Sequence, residues 1–346
     1  MFKHILVPLD ESACAEQALP MAAHIARTTG ATLTLLHVFS YSTDYLAYSI
    51  APGAFVQNTI NINEDDAKNY FSRICADPLL KDIAVKTATM YGTAPQAIVE
   101  NAELKHADLI VMCSHGRTGL KRLVLGSVAQ QVARDSSIPV LILHAQQDKQ
   151  VTEENEPQPF RILIALDGSS HAETAIRPAA ELSSILSSPN AGSLHLIRIV
   201  KPIVSLDIMD SRTIAKANQE AYEQAEKYLE ELTRRIFLTI APEIPLDINF
   251  TVRCDEEIAD RLISVANVAN LMEVPPLSAI AVATHGRHGI PRWIFGSVTE
   301  DILSQTTLPV LVLKHVEDKG DNGKVLTEAA TKKQVSQETY HPFISL

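Results

Sequence analysis

The segment CSHGRTGLKRLVLGSV, Cys113 to Val128, returns later in the chain as ATHGRHGIPRWIFGSV, Ala283 to Val298. In each copy nine residues separate a glycine (Gly116, Gly286) from a Gly-Ser pair (Gly126-Ser127, Gly296-Ser297) that opens a helical pattern. Glycines let backbone approach a ligand closely, and a helix start gathers unpaired N–H groups at the positive end of the peptide dipole. Together they suit an anion, phosphate above all. Arg117, Lys121 and Arg122 can offset phosphate charge in the first copy; Arg287 and Arg292 can do so in the second, where Pro291 replaces Lys121.

Such a loop works only if strands and helices hold it. A short apolar run precedes each copy (DLIVM; SAIAV), and the pattern around them occurs twice. Residues 2–9 form a mostly apolar run of strand length ending in Asp10, and FRILIALD at 160–167 mirrors it, ending in Asp167. In the first half the spacing predicts a helix over 12–29 stopped by Gly30, strand 31–39, helix 64–80, strand 83–90, helix 94–105, strand 108–113, helix 126–135 and strand 138–144. The aromatic stretch 40–63 lacks a clear period and reads as a loop over a site or a plain surface connection. The second half predicts helix 170–186, strand 193–200, long helix 210–239, strand 246–252, helix 256–270, the glycine segment and strand 308–313. Strands alternating with helices imply a parallel sheet with right-handed crossovers.

Composition sets the bounds. A chain of 346 residues with 46% hydrophobic side chains suggests two domains. Residues 145–159 are polar and proline-punctuated and read as a linker between 1–144 and 160–315; 316–346 reads as a disordered tail. The net charge of −11 argues against general affinity for nucleic acid or an anionic membrane. No stretch has the apolar length of a membrane span or a signal peptide, and Cys14, Cys75, Cys113 and Cys254 show no CxxC pairing. A cytoplasmic protein with reduced thiols is expected.

Two copies of strand-Asp, helix, strand, followed by variants of G-2x-G-9x-G(S/T), resemble the universal stress protein family over both halves. The resemblance implies an α/β fold of two doubly wound domains, each a five-stranded parallel sheet of order 3-2-1-4-5 flanked by helices. It implies stress-response signalling through unidentified protein partners, with ATP or a related adenine nucleotide as ligand in many members and none in others. The family's motif has a glycine where Cys113 and Ala283 stand here. Tandem members resemble the family's homodimers, so an internal pseudo-dimer joined through strands 138–143 and 308–313 is expected, with a homodimer of the whole chain as a further form.

In a sheet of that order, ligands lie beyond the strand ends where the order reverses, between the first and fourth strands. Asp10 and Asp167 would then accept from ribose hydroxyls, with Val38 and Ile199 flanking adenine. Gly116, Arg117 and Gly119, and Gly286, Arg287 and Gly289, would lie along the phosphates, whose charge carries any Mg or Mn. Backbone N–H groups of Gly126, Ser127 and Val128, and of Gly296, Ser297 and Val298, would hold phosphate oxygens. The first half is the better candidate because it keeps Pro8, Gly92 and Lys121, against Ala165, Cys254 and Pro291.

Plainer readings stay open. Ser127 with Gln130, and Ser297 with Glu300, fit an S-x-x-E/Q capping box. Asp10 and Asp167 could cap the helices that follow them. His115 and His285 lack a nucleophile or metal partner at fixed spacing. Cys113 fits a small buried residue at a strand end or a low-pKa redox thiol beside Arg117. No P-loop, GxGxxG, GxSxG or HExxH motif occurs, so a dedicated enzyme is not expected, and ATP turnover or autophosphorylation would be slow. The rival from another class is a nucleotide-free scaffold of the same fold, serving protein interactions alone.

Overall fold

The structure, a computed structural model, describes residues 1–39, 53–114, 125–144, 158–204, 210–268, 276–284 and 296–314, with side chains from 64 onward in the second of these segments. Met1 to His315 form one compact unit. The first half runs β1 (His4–Leu9), α1 (Ala13–Glu16), α2 (Ala18–Thr29), β2 (Thr32–Phe39), α3 (Gly53–Cys75), β3 (Val85–Tyr91), α4 (Ala94–Leu104), β4 (Leu109–Cys113), α5 (Ser127–Asp135) and β5 (Val140–Leu143). The second runs β6 (Arg161–Leu166), α6 (Ser170–Glu173), α7 (Ile176–Ser187), β7 (Gly192–Val200), α8 (Ser211–Thr239), β8 (Leu246–Cys254), α9 (Ile258–Val268), β9 (Ala279–Thr284), α10 (Ser297–Gln305) and β10 (Val310–Lys314).

The strands make one ten-stranded sheet of order β3-β2-β1-β4-β5-β10-β9-β6-β7-β8. Each half therefore has the order 3-2-1-4-5. All pairings are parallel except the central one, where β10 meets β5 antiparallel with Leu311 opposite Leu141. Ile5, Leu6 and Val7 are each fully buried, because helices cover both faces. One core layer packs α1–α3 and α6–α8 on the sheet; the other packs α4, α5, α9 and α10.

Two expectations about helices fail for identifiable reasons. The predicted helix 12–29 is broken between α1 and α2 at Gln17, and the predicted helix 170–186 is broken between α6 and α7. Pro20 lies four residues after Glu16, and Pro178 four after Thr174. A proline lacks the N–H that would bond to that carbonyl and its ring clashes with it, so both helices break at the same place. In the other direction, α3 begins at Gly53, eleven residues before the predicted start at 64. The run FVQNTININ has poor intrinsic helix propensity, but a helix already nucleated over 64–75 propagates at little cost. Residues 40–52 of the expected loop lie outside the described residues.

Candidate functional site

β1 ends at Leu9 between β2 and β4, so its tip lies where the strand order reverses. Asp10 follows at once. Its Oδ1 accepts from the Ser12 amide at 3.1 Å and the Ser12 hydroxyl at 2.6 Å. Ser12 Oγ in turn accepts from the Ala15 amide at 3.1 Å, capping α1. The second half repeats this unit: Asp167 Oδ1 accepts from Ser169 N at 2.8 Å and Ser169 Oγ at 2.6 Å, and Ser169 caps α6 through Ala172 N. The serines, not the aspartates, are the helix caps, which corrects the capping reading of Asp10 and Asp167. Each acid instead has its carboxylate plane fixed by the cap residue two positions on. Asp10 is half-buried and Asp167 exposed.

The residue between acid and cap differs. Glu11 sits at φ 68° in the left-handed region, with Oε1 3.9 Å from His37 Nε2. Its counterpart Gly168 sits at φ 89°, where an added Cβ would stand 2.9 Å from Arg198 Nη1. Arg198 lies over the Tyr228 ring at 5.2 Å, and Tyr228 donates to Glu173 at 3.0 Å.

The helix starts show a second correction. Gly126 and Gly296 are the N-cap residues of α5 and α10, with φ/ψ of −63°/143° and −62°/144°, and neither helix has a side-chain cap. Ser127 and Ser297 are already the first helical residues, so the capping boxes do not form. The Gly126 N–H is also committed: it donates to Ser114 O at 2.7 Å, while Ser114 N donates to Leu143 O at 2.7 Å. The sequence expectation gives this N–H to a phosphate oxygen, whereas here it is engaged within the chain. Ser127 and Val128 stand in the first turn, where N–H groups have no carbonyl within the helix. At Gly296 an added Cβ would meet nothing within 4 Å among the described residues, and its φ suits any residue.

The expected apolar contacts share one face. Val38, Met90 and Val128 pack against the core layer of α4 and α5; in the second half Ile199 and Val298 match Val38 and Val128, Ala165 matches Pro8, and Arg253 stands at the place of Met90. Alternation puts Pro8, two residues beyond Leu6, on that same side. Gly92, at φ 149°, donates to Phe39 O at 3.0 Å; the residue doing so in the second half is Asp255, which donates to Val200 O at 3.2 Å. Asp255, not Cys254, is thus the counterpart of Gly92. Asp255 begins a run of three acids with Glu256 and Glu257, and its carboxyl is held below the usual range by the Glu257 amide and Arg261.

Gly116, Arg117, Gly119, Gly286, Arg287 and Gly289, with His115, Lys121, Arg122, His285, Pro291 and Arg292, lie outside the described residues. Cys113 is buried, and a hydrogen bond with Cys14 followed by burial pushes its thiol up from the ordinary value. The low-pKa thiol is therefore overturned. Its partner Cys14 was not foreseen; only the repeat-by-repeat fold brings the two together. An open cavity of about 510 Å³ lies between α3 and β3, lined by Lys68, Phe71, Cys75 and Thr87 among others, and none of the expected ligand contacts lines it. Among the described residues no cluster of His, Cys, Asp or Glu is placed to hold a metal ion, and no helix is long and apolar enough to cross a membrane.

Comparison with known proteins agrees with the twofold construction. The model of the universal stress protein family matches residues 1–144 and again 160–314. A universal stress protein of Mycolicibacterium smegmatis is 23% identical over 317 residues, covering 90% of this chain and 96% of the relative. One from Methanocaldococcus jannaschii is 32% identical over 156 residues, covering 41% of this chain and 95% of that protein. The crystal structure of a universal stress protein from Archaeoglobus fulgidus superposes with a TM-score of 0.61 at 19% identity, covering 90% of this chain and 98% of that one.

Proposed function

This chain belongs to the universal stress protein family, and from that premise we propose that it binds ATP or a related adenine nucleotide at the tip of β1, chiefly in the first half, and signals occupancy to protein partners. The observation that carries this reading is the meeting at one sheet reversal of an oriented carboxylate, an uncapped helix start and an apolar wall. Asp10 accepts from the ribose hydroxyls, since an ionised carboxylate only accepts. Pro8, Val38 and Val128 flank the base. The amides of Ser127 and Val128 take phosphate oxygens at the positive end of α5. Gly116, Arg117 and Gly119 lie along the phosphates, which bring Mg or Mn with them. Asp167, Ile199, Gly286, Arg287, Gly289, Gly296, Ser297 and Val298 form the corresponding second cleft.

The second cleft is the poorer anion site. It carries Asp255, Glu256 and Glu257 after β8, and Glu300 in the first turn of α10, where the first half has Gly92 and Gln130. No bond-making step is assigned to either cleft; the protein acts as a sensor and not as a dedicated catalyst.

A nucleotide-free interaction scaffold is the second reading. It is favoured by the internal use of Gly126 N–H and of Asp10 Oδ1 in holding the fold. Calorimetric titration of the full chain with ATP separates the two. Saturable binding that Asp10→Ala weakens at least tenfold supports the sensor. Absence of binding at millimolar ATP, with or without magnesium, leaves the scaffold.

A further inference from the structure

We propose that Cys14 and Cys113 form a dithiol site that hydroperoxides convert to a disulfide, and that this bond alters the first nucleotide cleft. Cys14 lies on α1 and Cys113 ends β4; α1 packs on β4, and both residues belong to the same core layer. The two thiols hydrogen-bond to each other. Their accessibility is unequal, because Cys14 is half-buried and Cys113 buried. Neither thiol has a counterpart in the second half, where His171 and Ala283 hold the matching positions. The pair therefore belongs to one cleft and not to the fold.

The inequality sets the order of steps. Cys14 Sγ, the reachable sulfur, attacks the peroxide oxygen; the O–O bond breaks, giving a sulfenic acid and one water. Cys113 Sγ then attacks the sulfenic sulfur of Cys14. The S–S bond forms, the S–O bond breaks, and the thiol proton leaves with the hydroxyl as a second water. Overall two thiols and one hydroperoxide give a disulfide and two waters, or one water and an alcohol for an organic peroxide. Burial keeps the oxidant from Cys113, so its attack comes second, once Cys14 carries the sulfenic acid.

The position of the pair gives the bond a consequence, and this part rests on the nucleotide reading above. Cys14 is on the helix capped by Ser12, which anchors Asp10. Cys113 precedes Ser114, whose carbonyl holds Gly126 at the start of α5. A continuous series of bonds therefore runs from the ribose acceptor to the phosphate helix through the two sulfurs, on the sheet face opposite Val38 and Val128. Drawing the sulfurs from hydrogen-bond to covalent distance shifts α1 against β4 and moves the Asp10 carboxylate relative to Gly126.

The experiment uses the full chain carrying Cys75→Ser and Cys254→Ser, which removes the two exposed thiols. Hydrogen peroxide is expected to lower the intact mass by two hydrogens and to link the peptides containing Cys14 and Cys113, with reversal by dithiothreitol. Adding Cys113→Ala should leave a Cys14 sulfenic acid that dimedone traps. A Cys14 oxidised beyond sulfenic acid while Cys113 stays alkylatable after unfolding overturns the dithiol site. ATP titration of the reduced and oxidised forms should then differ in affinity by at least threefold; equal affinities overturn the coupling. Absence of ATP binding in the reduced form overturns the nucleotide reading and with it the coupling, while the mass measurement still decides the dithiol.

Discussion

The Gln130 side-chain amide lies 3.3 Å from Glu300 Oε1, across the join between the two halves. Both residues occupy the fourth position of their helices, so each half places a different charge at the same point. Glu300 is near the positive end of α10, where it stabilises the helix and repels an incoming phosphate. Glu300→Gln is expected to strengthen nucleotide binding in the second cleft, by up to about fivefold, the equivalent of the ~0.3–1 kcal/mol typical of a charge at a helix end. The same change should lower stability by a similar amount. Calorimetric stoichiometry with ATP and denaturant unfolding check the two effects.

Gly126 and Gly296 offer a second contrast. Their backbone angles suit any residue. Gly296→Ala should keep the fold with little net change in stability, because the restriction alanine places on the unfolded chain is offset by its poor fit at an N-cap. Gly126→Ala places a Cβ beside the amides of Ser127 and Val128, and through it should lose ATP affinity to a greater degree than Gly296→Ala. Equal and negligible losses would count against the first cleft as the main site.

Ser12→Ala and Ser169→Ala should each cost about 1 kcal/mol in denaturant unfolding, as loss of an N-cap does. Ser12→Ala should also weaken ATP binding, since Asp10 loses the 2.6 Å hydroxyl bond and keeps only the backbone amide at 3.1 Å to orient it. Ser169→Ala is expected to leave the measured affinity nearly unchanged.

Glu11 and Gly168 are matched positions in the left-handed region. Glu11→Gly should stabilise the protein by about 0.5–1 kcal/mol, the roughly 1–2 kcal/mol relief of a left-handed side chain less the entropy cost of glycine. Gly168→Ala should destabilise by at least about 1 kcal/mol, because φ 89° disfavours any side chain and the new Cβ must also displace the Arg198 guanidinium. Thermal melts of both variants are sufficient.

Burial pushes His195 down from its ordinary value to about 4; the charges of Arg161 and Arg253 add to this, and the bond with Asn249 opposes it. The folded state therefore keeps this imidazole neutral at pH values where the unfolded chain protonates it. The stability it contributes is present above about pH 6.5 and is lost as pH falls towards 4, a swing of roughly 3 kcal/mol for a shift of this size. His195→Gln should flatten the fall in Tm between pH 7 and pH 4.5. An unchanged pH profile would refute the assignment.

The repeat of strand, acid and glycine loop made much of this fold legible before any coordinates. Apolar runs such as residues 2–9 marked the strands, and the duplicated order marked the halves. What stayed hidden depends on three-dimensional proximity. Ser127 followed by Gln130 has the spacing of a capping box, but the motif shifts by one residue once Gly126 takes the cap position. Pro20 and Pro178 are potential helix breakers, but the apolar period continues through them and hides the break. The Gly126 to Ser114 bond spans the glycine segment and the Cys14 to Cys113 pair joins residues separated by whole elements, and no local pattern announces either.

The antiparallel seam between β5 and β10 has one more consequence. Each of these strands has a neighbour on both sides, so neither has a bare rim to offer a visitor. The strands left at the margins of the sheet are β3 and β8, at its far ends. Among the described strands, a second copy of this chain that sought to attach strand to strand would have to do so at β3 or β8.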